Sequence, residues 1–112
     1  MVKMGPAKKL CIYVDEADKM GGKPVYEVLM DIFYKKEIAG VSVFRGIAGY
    51  GSDGIFHTSK LLELSTSLPV KLEATDSADK IEQILPHVLD IVEKGLIEVL
   101  DTYVVKCCSR KS

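Results

Sequence analysis

Residues 40–54, with the sequence GVSVFRGIAGYGSDG, combine a predicted β-strand with a run of glycines. The strand is rich in β-branched and aromatic residues and ends at Arg45. Four glycines then follow within nine residues, at Gly46, Gly49, Gly51 and Gly54. Such a run lets the backbone turn tightly and approach a ligand closely. We therefore expect a ligand site here more than elsewhere in the chain.

The length and composition of the chain indicate one globular domain over residues 1–112. A domain of this size buries roughly two-thirds of the surface of its unfolded chain, so a core can form without disulfides. The hydrophobic content of 47% and charged content of 28% are typical of globular proteins. The net charge of −1 gives no electrostatic reason to expect a nucleic acid or an anionic membrane as partner.

The sequence favours a cytoplasmic protein that is not integral to a membrane. No apolar run approaches the roughly 20 residues that a bilayer span needs, and the amino-terminal residues lack the apolar core of a signal peptide. Cysteine usage agrees, because Cys11 lies in an apolar strand pattern while Cys107 and Cys108 are adjacent near a polar tail. That arrangement is a poor framework for secreted disulfides.

Hydrophobic periodicity predicts four strands and two helices in the order β-α-β-β-α-β. The predicted strands cover residues 9–14, 41–47, 69–75 and 97–105. The first helix should begin near Pro24, bury Val25, Val28, Leu29, Ile32 and Phe33, and end at Gly40. The second should be capped by Asp76 or Ser77, kink at Pro86, bury Ala78, Ile81, Leu85, Val88, Leu89 and Val92, and end before Gly95.

This order of elements is the split β-α-β arrangement of the ferredoxin-like fold, in the α+β class. It requires one antiparallel four-stranded sheet with both helices on one face. The opposite face would carry Lys71 and Glu73 beside four apolar or aromatic side chains, those of Tyr13, Phe44, Leu100 and Val104. Because such a face is too apolar to be left in water, we expect self-association over it.

The glycine run has two interpretations. Its order does not match the dinucleotide fingerprint G-x-G-x-x-G, and a loop follows it, which excludes a Rossmann site. It is either a nest whose N–H groups bind a phosphate or carboxylate beside Arg45, or a plain turn with bulges. Arg45 itself is more often a surface ion pair. His57 is a ligand contact, a metal ligand or an exposed polar residue.

Neither a metal centre nor a catalytic centre is indicated. The candidate metal ligands lack the spacing of a zinc motif: Cys11, His57, His87, Cys107 and Cys108. No serine lies in a nucleophile elbow and no acid–base pair stands out, so we expect neither an enzyme nor a cofactor. The acidic cluster of Asp15, Glu16 and Asp18 is interpreted as a solvated turn.

Several segments resemble the PII-like family once catalogued as domain of unknown function 190. They are residues 9–14 (KLCIYV), 22–27 (GKPVYE) and 40–51 (GVSVFRGIAGYG), then His57, the pair Leu64-Ser and the pair Leu68-Pro. The resemblance covers nearly all of residues 8–106. Its most specific part is the pattern V-x-R-G-x-x-G-Y-G, which begins at Val43.

The resemblance implies a homotrimer of ferredoxin-like subunits whose sheets face inward. Residues 48–66 would be a flexible loop like the PII T-loop, and residues 107–112 a tail. An adenine nucleotide would lie between subunits, and its binding would set the loop conformation that a partner protein reads. By this analogy the ligand site consists of Arg45, Gly46, Gly49, Tyr50, Gly51, Ser52 and His57.

The chain departs from the PII pattern in two places. Ser52 and Asp53 stand where basic or amide residues usually follow the glycine motif. The short turn at residues 93–96 leaves no room for the glycine- and arginine-rich B-loop of PII. A smaller adenine nucleotide such as AMP, another anion or no nucleotide are therefore alternatives to a triphosphate. A further alternative is a trimeric divalent-metal-binding protein like CutA, which has the same fold and would use the thiols and His57.

Overall fold

Four strands and two helices make up the computed structural model, which describes residues 2–58 and 67–108. In chain order they are β1 (Gly5–Asp15), α1 (Val25–Lys35), β2 (Val41–Arg45), β3 (Pro69–Asp76), α2 (Ala78–Ile91) and β4 (Leu96–Val104). Two short hairpins add the pairs Lys19–Met20 with Lys23–Pro24 and Ala48–Gly49 with His57–Thr58. In the described part of the chain, no helix is long and apolar enough to cross a membrane.

The four long strands form a single antiparallel sheet in the order β2-β3-β1-β4. β1 lies inside the sheet, where its residues 8–15 pair with β3 and its residues 5–13 pair with β4. β2 pairs only with β3, from Val41 opposite Ala74 to Arg45 opposite Val70. The order and the directions of the strands confirm the predicted ferredoxin-like α+β fold.

Both helices pack on one face of the sheet and close the core there. The alternation of Leu10, Ile12 and Val14 toward this face is confirmed, since all three side chains are buried. The helices contribute Val25, Leu29 and Phe33 from α1 and Ile81, Ile84 and Val88 from α2.

The predicted set of buried side chains on α2 is wrong at Ala78, Ile84 and Leu89. Leu89 is 63% exposed and Ala78 is exposed, whereas Ile84, which the prediction omitted, is 1% exposed. The helix turns Ile84 and Val88 toward the sheet, and Leu89 lies about 100° round the axis from Val88. Pro86 lies inside α2, and a kink at that position stays a prediction.

The first helix ends five residues before Gly40, and the prediction that this glycine stops it is wrong. The chain reverses at Glu37, which has a φ of 60°. Its amide donates to the Tyr34 carbonyl (3.1 Å), and the Ile38 amide donates to the Phe33 carbonyl (3.0 Å). This is the Schellman pattern, which usually has glycine at the left-handed position. The sequence does not indicate this helix end, because position 37 is a glutamate rather than a glycine.

We expect Glu37→Gly to stabilise the fold by about 0.5–1 kcal/mol, because glycine adopts the left-handed conformation without a Cβ clash. Urea unfolding followed by circular dichroism measures the change. Lys36→Gly is the matched control, since Lys36 has a φ of −90° and gains nothing from glycine there. A loss of stability in the Glu37 variant would contradict this account of the helix end.

A buried carboxylate joins the end of α1 to the start of α2. Asp76 is 3% exposed, and its two oxygens accept the amides of Ala39 (2.8 Å) and Ser77 (2.7 Å). Ser77 in turn caps α2 by accepting the Lys80 amide (3.2 Å), so Ser77 is the cap of the two predicted candidates. Asp76 therefore fixes the spacing of the two helices on the sheet.

Asp76→Ala should lower the free energy of unfolding by about 2–4 kcal/mol, because it leaves two backbone amides without their charged acceptor. Urea denaturation measures this loss. Asp79→Ala, at an exposed position in the first turn of α2, is the control and should change stability by less than about 1 kcal/mol. Equal effects of the two substitutions would show that the Asp76 carboxylate does not hold the helices.

The second face of the sheet carries no part of the helix-side core and mixes apolar and charged side chains. Phe44 on β2 is 51% exposed, and Leu96 and Leu100 on β4 are 51% and 46% exposed. Between them, Lys71 pairs with Glu73 (2.7 Å) and lies over the Tyr13 ring, 5.5 Å from its centre. The mutual hydrogen bond raises the pKa of Lys71 and lowers the pKa of Glu73. We call this surface the open face.

Candidate functional site

The predicted site residues lie at the end of β2 and in the hairpin that follows it. In this hairpin Ala48 pairs with Thr58 and Gly49 with His57, so His57 is half-buried in the pairing rather than free in a loop. The connection predicted as one flexible loop over residues 48–66 is thus a hairpin as far as Thr58. Its remainder, residues 59–66, lies outside the described residues.

The tip of the hairpin is a hydrogen-bonded turn. The Gly54 amide donates to the Gly51 carbonyl (3.0 Å), and the Asp53 carboxylate accepts the Ile55 amide (2.9 Å). Gly54 has a φ of +74°, which favours glycine at that position. Ser52 lies exposed within this turn. The carboxylate of Asp53 therefore closes the turn as well as adding a negative charge near the glycine run.

An aromatic pair covers one side of the hairpin. The rings of Tyr50 and Phe56 lie 4.8 Å apart between centroids with an interplanar angle of 35°. Both remain largely exposed, at 66% and 68%, and the neighbouring Ile47 and Ile55 are 78% and 56% exposed. Sequence reasoning named Tyr50 but missed Phe56, whose place opposite Tyr50 depends on the hairpin register.

Two of the glycines are explained by crowding against Pro69 at the start of β3. The Gly46 amide donates to the Pro69 carbonyl (2.7 Å), and a Cβ at Gly46 would lie 2.8 Å from the Pro69 Cγ. A Cβ at Gly49 would lie 3.2 Å from the same atom. A Cβ at Gly51 would meet nothing within 4 Å. Close approach of the two ends of the connection thus explains Gly46 and Gly49, whereas a Cβ at Gly51 or Gly54 would have open space.

Arg45 forms an ion pair with Glu16, which is one of the two roles predicted for it. The Arg45 Nε lies 2.9 Å from one carboxylate oxygen of Glu16, and a terminal guanidinium nitrogen lies 3.1 Å from the other. The Arg45 side chain is 58% exposed and the Glu16 side chain 22% exposed. The cation predicted for the ligand is therefore already engaged with an acid of its own chain.

Asp15, the last residue of β1, and Glu16, which follows it, hold the far end of the same connection. The Glu16 amide donates to the Leu68 carbonyl (2.9 Å), and the Ser67 hydroxyl donates to the Asp15 carboxylate, 2.5 and 2.7 Å from its two oxygens. The prediction of a solvated turn is wrong for Asp15 and Glu16. Their partners lie 29 to 52 residues away in sequence, and no local pattern indicates them.

Two cavities on the described surface are lined by residues other than the predicted site residues. A cavity of about 340 Å³ lies between residues 18–20 and the end of α2, where Asp18, Asp90 and Glu93 outnumber Lys19 and Lys94. A wider one of about 750 Å³ lies at one end of the open face, lined in part by Lys9, Ser42, Glu73 and residues 102–108. The glycines of the run are half-buried or exposed, so on one chain they lie at the surface.

The thiols lie in two places and form no common site in the described residues. Cys11 is 4% exposed within β1, and burial raises the pKa of its thiol. Cys107 and Cys108 are adjacent, and their sulfur atoms are in contact with each other. Within residues 2–58 and 67–108, no three His, Cys, Asp or Glu side chains come together as metal ligands.

Comparison with known sequences gives one family. The model of the DUF190 family, described as "Uncharacterized ACR", matches residues 7–104. A UPF0166 protein of Methanocaldococcus jannaschii is 37% identical over 101 residues, covering 89% of this chain and 93% of that protein. A UPF0166 protein of Aquifex aeolicus is 36% identical over 98 residues, covering 88% of this chain and 92% of that protein.

Comparison with solved structures gives PII-like folds. CPII of Thiomonas intermedia K12, a nitrogen regulatory PII-like protein solved with ADP, AMP and bicarbonate, matches with a TM-score of 0.71. The match covers 95% of this chain and 94% of CPII at 21% identity. The apo form of CPII matches with a TM-score of 0.61 at 18% identity, covering 93% and 97% of the two chains. At these identities the likeness establishes the fold.

We expect Gly46→Ala to lower the free energy of unfolding by about 1–3 kcal/mol, because its methyl group would press on the Pro69 ring and carbonyl. Gly51→Ala is the control at a position with open space, and it should change stability by less than about 1 kcal/mol. Thermal and urea unfolding of both variants measure the difference. A Gly46 variant as stable as the Gly51 variant would contradict the crowding at Pro69.

Proposed function

This chain belongs to the DUF190 family and has a PII-like fold, and on that basis we propose that it is a cytoplasmic, non-catalytic regulatory protein. It binds a small adenine nucleotide or a related anion at clefts between the subunits of a homotrimer. Binding changes the presentation of the hairpin at residues 48–58 to a partner protein. The observation that carries the proposal is the match of nearly the whole chain to CPII, which was solved with adenine nucleotides and bicarbonate.

The charges at the hairpin favour a ligand with few negative charges. Arg45 is the cation that directly precedes the glycine run, and it is already paired with the Glu16 carboxylate. Asp53 adds a second acid at the turn. A triphosphate carries about four negative charges that these groups do not balance, whereas one phosphate group needs only a single bidentate arginine. AMP is therefore the nucleotide that fits the described residues best.

A ligand at the hairpin needs a second wall, and the open face supports an assembly that supplies one. The glycines of the run are half-buried or exposed on one chain, and a neighbouring subunit supplies the second wall of the cleft. The open face exposes Phe44, which immediately precedes Arg45 in β2, and Leu96 and Leu100 across the sheet. Packing of subunits over these side chains removes apolar surface from water and brings a neighbouring chain to the end of β2.

The hairpin has the character of a surface that another protein binds. Tyr50 and Phe56 form an exposed aromatic pair, and Ile47 and Ile55 lie exposed beside them. Aromatic side chains that remain in water on a short, projecting element are common anchors in protein interfaces. A ligand bound at the base of the hairpin changes the geometry of that anchor, which is how a sensor transmits its ligand state.

Calorimetry with AMP, ADP and ATP tests the proposal. We expect AMP to bind, and Arg45→Gln to weaken binding at least about tenfold through loss of a bidentate charged contact. Gly51→Val should weaken it as well, because a Cβ at this position meets no atom of the chain within 4 Å and the valine side chain would fill space open to a ligand. The nucleotide should be recovered unchanged after incubation with the protein.

Lys3→Gln is the control that removes one positive charge from an exposed site outside the hairpin, and its affinity for AMP should match that of the wild type. Failure of all three nucleotides to bind the assembled protein would remove the basis of the nucleotide proposal. Binding that is unchanged by both Arg45→Gln and Gly51→Val would place the ligand elsewhere.

A further inference from the structure

Glu16 contacts both ends of the connection between β2 and β3. Its carboxylate pairs with Arg45, the last residue of β2, through two separate nitrogens at 2.9 and 3.1 Å. The same carboxylate lies 3.4 Å from the Leu68 amide, just before β3 begins. Its own backbone amide donates to the Leu68 carbonyl at 2.9 Å. Glu16, one residue after β1, thus contacts both ends of the connection that contains the hairpin at residues 48–58.

The geometry of the Arg45 contact is that of a bound oxyanion. Two guanidinium nitrogens face two carboxylate oxygens, which is the way arginine binds carboxylates and phosphate groups of ligands. Glu16 therefore occupies the edge of Arg45 that is formed by Nε and one terminal nitrogen. A ligand anion that binds Arg45 through this edge must take the place of the Glu16 carboxylate.

We propose that the Glu16 carboxylate is a tethered competitor for the anion position at Arg45, and we call its ion pair with Arg45 the latch. A ligand oxyanion that accepts two N–H groups, from a nucleotide phosphate or from a free small anion, displaces the Glu16 carboxylate and binds Arg45 in its place. The exchange removes the ion pair at the β2 end of the connection, while the backbone bonds from Gly46 to Pro69 and from Glu16 to Leu68 stay in place. This inference rests on the proposed function for the identity of the ligand only.

The ion pair between Arg45 and Glu16 is weak enough for a ligand anion to displace Glu16. Arg45 is more than half exposed, and exposed ion pairs change an equilibrium constant by only about two- to fivefold. The Glu16 side chain is only 22% exposed, and the backbone bond to Leu68 holds it in position. It therefore returns to Arg45 once a ligand leaves. A stronger ion pair would exclude weakly binding ligands, and a weaker one would not compete with them for Arg45.

The test compares wild type, Glu16→Gln and Glu82→Gln. Gln at position 16 keeps the size of the side chain and an acceptor for the Leu68 amide but removes the charge that competes for Arg45. Glu82→Gln removes one negative charge from an exposed position on α2 and controls for net charge. Thermal unfolding first establishes that all three proteins are folded at the temperature of the binding measurements.

Calorimetry with AMP and with adenosine separates the phosphate contact from the rest of the ligand. We expect Glu16→Gln to bind AMP about two- to fivefold more tightly than wild type and Glu82→Gln. Adenosine, which has no phosphate, should bind the three proteins equally. Equal AMP affinity in wild type and Glu16→Gln overturns the proposal and leaves the proposed function standing. An equal gain for adenosine also overturns it, because Glu16 then acts without competing for the anion position.

Binding of inorganic phosphate tests the competition between Glu16 and a ligand anion even if no nucleotide binds. A titration followed through the Arg45 Nε–H resonance should show tighter phosphate binding in Glu16→Gln than in the other two proteins. If AMP binds none of the proteins, the proposed function fails, and the latch stands or falls on this titration alone. Equal phosphate affinity in all three proteins overturns the latch.

Discussion

The pairing of β1 with a strand on each side is the constraint on which the rest of the structure depends. β3 pairs along residues 8–15 and β4 along residues 5–13, so β1 sits inside the sheet with both edges occupied. The register turns Leu10, Ile12 and Val14 under the helices, and it places Tyr13 beside Lys71 on the open face. A slip by one residue would exchange these faces and expose the core.

The same strand brings the ends of the β2–β3 connection together. Because β1 and β3 run antiparallel, the residues after Asp15 lie next to the residues before Pro69. Glu16 is thereby placed between Leu68 and Arg45, and Asp15 reaches Ser67. The sheet thus delivers a carboxylate to the root of the hairpin, where the only arginine of residues 1–109 ends β2. The pairing of β1 with β3 therefore sets the position of the hairpin root and brings the Glu16 carboxylate next to it.

The sequence predicts the parts of this arrangement that depend on local periodicity. The order of elements, the buried face of β1 and the cap at Ser77 are confirmed by the structure. The end of α1 was hidden because glutamate replaces the usual glycine in the reversal at Glu37. Leu89 was placed in the core because two neighbouring rows of apolar side chains on α2 cannot be ranked without the sheet they face.

The glycines indicated the candidate site, but the partners of its residues were not foreseen. Two of the glycines adjoin Pro69, and Arg45 binds Glu16, which looked like part of a solvated turn. These contacts join residues 20 to 29 positions apart, so no pattern of residue types at fixed spacing contains them. Gly51 has open space around it, and a ligand that binds the Nε edge of Arg45 must displace the Glu16 carboxylate.

Native mass spectrometry of the protein with and without AMP tests the central claim most directly, since it counts subunits and bound nucleotides in one particle. The account predicts three subunits in both samples and up to three AMP molecules per trimer when the nucleotide is present. A monomer that binds AMP would contradict the intersubunit cleft. A trimer that never retains AMP would contradict the nucleotide-sensing role.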